Sequence, residues 1–270
     1  MNNLNIRTDT VKKIILILIN LVIVNISSFA NESDMLNLNA PSDLTEGQSL
    51  FSVKHRFIGK VDNNVYDTFF GIDGGANVGL ALGHMFSHGI EAKVSRNRYT
   101  NDGQSEYVYS LSRQGDLSSH VKGKIGVDYF SYISNNARIN DRRENFFYNA
   151  SLATAPVWDG VSFVFDLAYD GYNEKVGTGI GINKEFKPNL SFLPFVEKMA
   201  LMAEYYPVID REDGVTGKKD AFSLGVKFKT AGHHFVLSLG NSTAIGTRQA
   251  MLGAINNDLH FGFNIYRIMF

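Results

Sequence analysis

Seven histidines are the first side chains that could hold a metal, and their spacing argues against it. His84 and His88 share a face only on a helix, while His233 and His234, if on a strand, point to opposite sides. A zinc site needs three or four converging donors. Ser238, Asn241 and Ser242 follow His234 and raise a second chemistry, lipid hydrolysis on an outer wall. That reaction needs a serine hydroxyl within hydrogen-bond reach of a histidine. His234 and Ser238 share parity but lie about 13 Å apart along a strand, and the apolar face there belongs to Phe235, Leu237 and Leu239. Gly177, Gly179 and Gly181 lack the six-residue spacing and following helix of a dinucleotide loop. On a strand they are inward positions left empty for a large neighbouring side chain. No catalytic residue, cofactor or metal is expected.

The charges are more informative. Lys54, Arg56, Glu91, Lys93, Lys122, Lys124, Asp128, Asp166, Glu204 and Lys227 all fall opposite an apolar row in segments of period two. Inside a wet channel such residues tune ion preference. Inside a packed interior they pair and hold the wall together.

Alternation of this kind defines the elements that carry them. Phe163, Phe165, Leu167 and Tyr169 alternate with Ser162, Asp166 and Asp170, and Phe222, Leu224, Val226 and Phe228 alternate with small or charged residues. Similar runs occur near 50–59, 68–86, 89–96, 105–113, 121–132, 145–155, 160–170, 176–186, 197–206, 219–229, 233–240 and 258–270, which predicts about twelve strands. Twenty phenylalanines and twelve tyrosines against five prolines favour pleated structure. With no cysteine, neither disulfides nor a lipid-bearing cysteine can contribute. A net charge of -1 gives no reason to expect a nucleic-acid partner.

A two-sheet sandwich would show the same alternation, so the connections decide. Segments 62–65, 98–103, 135–144, 211–219 and 241–257 are long and polar, whereas 87–88, 114–119, 156–160 and 229–232 are short. That asymmetry predicts a single transmembrane, antiparallel, up-and-down β-barrel over 49–270. The 187–194 connection, with two prolines, fits the short side poorly. Arg7, Lys12 and Lys13 precede an apolar run from Ile14 to Ile26, with Ser28 and Ala30 behind it. These features predict a signal peptide over 1–30, then a periplasmic lead-in over 31–48 that is too short to plug the bore.

Tyr107, Tyr129, Tyr132, Phe146, Phe147, Tyr148, Tyr172, Tyr205 and Tyr206 sit near predicted strand ends, where barrels carry aromatic girdles. The chain closes on Tyr266, Ile268 and Phe270 at alternate positions, like the signal read by the barrel-assembly machinery. Asn264 shares their parity, which implies a bulge near Ile265 or a two-sided strand.

Five phrases carry a family resemblance: His55-Arg56-Phe57, Phe70-Gly71-Ile72-Asp73, Arg113-Gln114, Thr230-Ala231-Gly232-His233-His234-Phe235 and Phe261-Gly262-Phe263-Asn264-Ile265. In this order they resemble a Gram-negative β-barrel family catalogued as a domain of unknown function, with Ala231 replacing the first glycine of its glycine pair. The resemblance implies an outer-membrane barrel in contact with lipid, and no substrate. Two functions follow as expectations: a small passive channel for ions or polar solutes, or a closed barrel whose loops bind a partner. Lipid hydrolysis is a further alternative.

Overall fold

A computed structural model describes residues 35–42, 44–61, 69–99, 104–134, 144–157, 160–188, 195–213 and 216–269. The expected signal peptide and the closing Phe270 lie outside them. The strands are β1 (Ser49–Val61), β2 (Ala76–Met85), β3 (Ile90–Tyr99), β4 (Gln104–Ser118), β5 (Val121–Ser134) and β6 (Glu144–Thr154). They continue as β7 (Val161–Asp170), β8 (Lys175–Phe186), β9 (Lys198–Tyr206), β10 (Ala221–Lys229), β11 (His233–Gly240) and β12 (Leu259–Met269). Each pairs with its successor, and β12 returns to β1 with Ser49 opposite Met269, so the sheet closes without an edge. In lipid this closure removes the open strand edges whose backbone groups would otherwise go unpaired.

The period of two puts each strand's residues on opposite surfaces. In β7, Val164, Asp166, Ala168 and Asp170 are buried while Leu167 and Tyr169 are exposed. The outer surface carries Leu80, Leu82, Val94, Leu111, Ile125, Leu201, Leu224 and Leu237, all exposed. Outward basic residues lie towards the barrel ends: Arg96 and Arg98 towards the loop end, and Arg113, Lys184 and Arg267 towards the terminal end, where β1 starts and β12 finishes. Among the described residues the band between them has no outward Asp, Glu, Lys or Arg, as an apolar belt in lipid requires.

Several expectations change in detail. The segment predicted as one long strand over 68–86 contains a 3-10 turn, Phe69–Gly74, before β2. Gly71, at φ 79, lies so close to Gly59 of β1 that a side-chain carbon on either would strike the other's backbone. The expected turn at 114–119 is mostly strand, paired as far as Ser118 and Val121. Tyr109, Tyr129, Phe146 and Tyr148 form an outward aromatic row with centroid spacings of 6.2, 5.4 and 6.5 Å. Phe147 and Tyr206, expected in the girdle, instead point inwards and are buried.

The last strand is two-sided and runs without a bulge near Ile265. Its lipid-facing row is Phe261, Phe263 and Ile265, with Phe263 stacked on His55 at 4.9 Å. Asn264 and Tyr266 face inwards and are buried. The register shift lies in β1, between Arg56 and Lys60.

Candidate functional site

The described part of the lead-in, Met35 to Ser42, occupies the lumen, contrary to the expectation that it is too short to plug the bore. Reach was the wrong measure, because residues 35–42 fill the bore from the terminal end, where Ser42 leads on towards β1, without needing to span the barrel. Ser42 is held near that end, and Gly47 donates its N–H to Met85 O at 2.8 Å. Residues 36–39 lie at the level of the middle rungs. This strap, Met35 to Ser42, alternates apolar and amide residues in Leu36-Asn37-Leu38-Asn39.

Strand side chains satisfy the backbone of the strap. The Glu204 carboxylate accepts the N–H of Asn37 at 2.9 and 3.0 Å and of Leu38 at 3.1 Å. Asp166 accepts the N–H of Asn39 at 3.0 Å. The Leu36 carbonyl accepts from Lys54 Nζ at 3.1 Å and from Arg56 and Asn264 at 3.4 Å each. Arg56 also donates to Asn264 Oδ1 at 2.7 Å, which ties the strap to the seam between β1 and β12. Hydrogen bonds to charged groups contribute about 1.5–3 kcal/mol each. Burying Leu36 and Leu38 adds roughly 1.5–3 kcal/mol per side chain.

Glycines make the room. A side-chain carbon at Gly181 would strike Met35 and Leu38, at Gly179 Leu38 and Tyr206, and at Gly225 Leu36. The expected empty rows exist, but only Tyr206 comes from a neighbouring strand. Gly177 is covered by Met251 of an inward loop.

That loop connects β11 to β12 and contains a short helix, α1 (Thr247–Met251). Thr247 Oγ1 donates to Asn37 O at 2.7 Å, fastening the loop to the strap. Arg248 donates to Glu106 at 2.7 Å and Asp170 at 3.1 Å, and lies 4.6 Å over the Phe130 ring. All three charged side chains are buried.

Between the strap and the wall of β1 to β6 two polar cavities remain, of ≈ 140 and ≈ 120 Å³. They share Lys54, Lys93, Ser95 and Asn97 on the wall and Leu38, Asn39, Ile245 and Gly246 on the filling. Each has room for about four waters, at roughly 30 Å³ of liquid volume per molecule. The first is bordered by Lys54, Lys93 and Lys124 against Glu91, and the second by Lys54, Lys93 and Arg248 against Glu106 and Asp128. Cations therefore outnumber carboxylates at both.

The ten residues singled out from alternation divide into groups. Lys54, Arg56, Asp166 and Glu204 grip the strap, while Glu91 and Lys124 form a buried ion pair at 3.0 Å. Lys93 borders both cavities, and Asp128 borders the second and accepts from Asn149 at 3.4 Å. Lys227 is buried on β10, and Lys122 stands opposite Asp116 towards the terminal end; neither borders a cavity. Glu106 and Arg248 were not singled out, and Asp170, Gln114 and Asn264 were noted without a role in the lumen. Glu106 and Asp170 share the parity of the buried rows and were legible in principle, whereas nothing local to Arg248 shows that its loop turns inwards.

The hydrolase geometry occurs in part, though not at His234, which is buried. Ser49 Oγ lies 2.8 Å from His84 Nδ1 on the outer wall at the terminal end. His84 also touches the Phe86 ring at 4.6 Å, and among the described residues no carboxylate or amide side chain orients it. Those residues contain no group of three or more His, Cys, Asp or Glu placed to hold a metal.

A closed strand wall, apolar outside and filled by its own strap and loop, defines a membrane-spanning β-barrel. The chain belongs to the family described as membrane bound beta barrel domain (DUF5777), matched over residues 31–269. A search of curated proteins returns no match. Among solved structures, the chain is similar to the KdgM porin (TM-score 0.47, 12% identity, covering 82% of this chain and 98% of that one). It is also similar to the NanC porin (0.46, 10%, 82% and 98%) and to CdiB from Acinetobacter baumannii (0.40, 10%, 84% and 60%).

Proposed function

We propose that the protein is a narrow passive channel of the outer membrane that passes small ions, anions in preference, along the polar seam between the strap and the wall. The observation that carries this reading is the pair of cavities sharing Lys54 and Lys93, each bordered by more cations than carboxylates. Charges lining a narrow lumen set which ions enter. At this size the seam admits water and ions of a few atoms, so the strap fixes the exclusion limit. Export with cleavage after Ala30, and recognition of the closing strand by the barrel-assembly machinery, belong to the same proposal.

A second reading is a closed barrel whose loops meet a partner. It is favoured by the interlock of Thr247 with Asn37 across the bore. Planar-bilayer recording on the refolded full chain separates the two. A channel gives small, reproducible conductance with an anion-preferring reversal potential. Lys93→Glu reverses that preference, while Lys122→Glu, at a residue bordering neither cavity, leaves it close to the original. A silent barrel overturns the channel reading in favour of the closed one.

A further inference from the structure

The Arg113-Gln114 phrase faces two ways. Gln114 turns inwards to the strap, so the filled lumen explains one residue and leaves the other. Arg113 lies on the outward row of β4 with Tyr109, Leu111, Gly115 and Leu117, between Ile90 of β3 and Ile125 of β5. Ile90 is the first residue of β3, so the wall ends level with the arginine on that side, while β4, β5 and β6 stay paired four or five residues further towards the terminal end. An outward arginine within an apolar surface needs an anion or water at its head.

Beside Arg113 the wall is hollow. A depression of ≈ 760 Å³ is lined by Gly115, Leu117, Ile125, Ala150 and Leu167 as well as Arg113. A side-chain carbon added at Gly115 would meet nothing within 4 Å. On the next rung Leu111 and Val127 begin a second depression of ≈ 540 Å³ that continues to Tyr109, Tyr129 and Phe146. From Arg113 to Tyr109 is about 13 Å along the strand, or half of an apolar band about 25 Å tall. A basic head in the terminal-end half of the wall and an apolar track one leaflet deep are complementary to one kind of molecule. Asp116 also borders this depression, but it has the opposite parity to Arg113 on β4 and stands across from Lys122.

We infer that this groove over β3 to β7 holds a glycerophospholipid with an anionic headgroup, its phosphate on Arg113 and one acyl chain along the wall towards Tyr109. The site depends on the barrel lying in a membrane and is independent of conduction, so either reading can fail without the other.

The full chain, refolded and exchanged into mixed micelles of phosphatidylglycerol and phosphatidylcholine, is analysed by native mass spectrometry. The expected result is retention of one phosphatidylglycerol several-fold above phosphatidylcholine. Arg113→Gln abolishes the headgroup preference, and Gly115→Leu, which fills open space on the lipid side, lowers retention of both lipids. Equal retention of the two lipids by the parent chain, or an unchanged preference in Arg113→Gln, overturns the inference. So does displacement of phosphatidylglycerol by equimolar lipopolysaccharide.

Discussion

Gln114 grips both backbone groups of Ser42. The Ser42 N–H donates to Gln114 Oε1 at 2.6 Å, and Gln114 Nε2 donates to the Ser42 carbonyl at 2.9 Å. The amide thus does for the strap what a neighbouring strand would do, at the point where the chain turns from the bore towards β1.

Gln114→Met keeps the volume and removes both bonds. Two neutral hydrogen bonds contribute about 1–3 kcal/mol together, so amide-exchange protection around Ser42 should fall by a factor of about 5 to 160. The melting of the wall should scarcely change, because no strand pairing is touched. Unaltered exchange in residues 35–48 would show that Gln114 is not the latch.

The inward glycines test whether the strap is separable from the barrel. A side-chain carbon at Gly225 would lie 2.8 Å from Leu36 Cδ2, and a leucine there needs the volume Leu36 now fills. Overpacking of this kind costs about 1–3 kcal/mol, borne by whichever partner yields more easily. Twelve closed strands are held by continuous pairing, so the strap should yield. Gly225→Leu is expected to leave strand circular dichroism intact, make residues 35–42 accessible to protease, and raise any single-channel conductance. A variant that fails to form a barrel would place the strap in the folding core instead.

Much of the wall was readable because its signal is local. Period two identifies Phe163 to Tyr169 as one surface whatever lies beyond, and of the charges named from parity Arg56, Glu91, Lys124, Asp166, Glu204 and Lys227 are buried. What those charges do was not readable. Glu204 and Asp166 look like channel-lining carboxylates on their strands, and only the return of the chain 127 to 167 positions away makes them receptors for backbone N–H groups. The strap carries its own dyad signal in Leu36 to Asn39, but Pro41 and Gly47 mark the segment as a linker. Asn264 breaks the expected apolar closing row for the same reason: its partners are Arg56, 208 positions away, and the Leu36 carbonyl.

Arg248 is expected to act as the bolt of the inward loop. Removing one partner from a buried ion group strands the others, at about 3–5 kcal/mol. Here Asn97 donates to Glu106 at 3.1 Å and Asn145 to Asp170 at 2.9 Å, which moderates the loss. Arg248→Met should release residues 241–257, seen as faster exchange there and at Asn37, which the loop contacts. Combining it with Glu106→Gln and Asp170→Asn should recover part of the protection, because no unpaired charge then remains. A triple variant no better protected than Arg248→Met would mean that the guanidinium acts by packing on Phe130 alone.

Outside the membrane band, Asp220 governs the loop between β9 and β10. Its carboxylate accepts from the Tyr205 hydroxyl at 2.5 Å and from the Val208 N–H at 3.0 Å, and it pairs with Arg211. The Tyr205 hydrogen bond, then the Val208 N–H and the nearby Arg211 charge, hold its carboxyl below the usual carboxylate range against a smaller opposing effect of burial. A depressed folded-state value means that the contribution to stability is complete above the ordinary aspartate value, near 3.9, and is lost as pH falls through the lower folded value. Exchange in residues 207–220 should therefore be slow at pH 6 and accelerate below about pH 4 beyond the intrinsic rate change. Asp210 and Glu212 also pair with Lys175 in this loop and respond to acid too, so Asp220→Asn separates the contributions. At pH 6 that variant should already show the looser exchange of the parent chain in acid; full protection would show that the Lys175 pairs alone hold the loop.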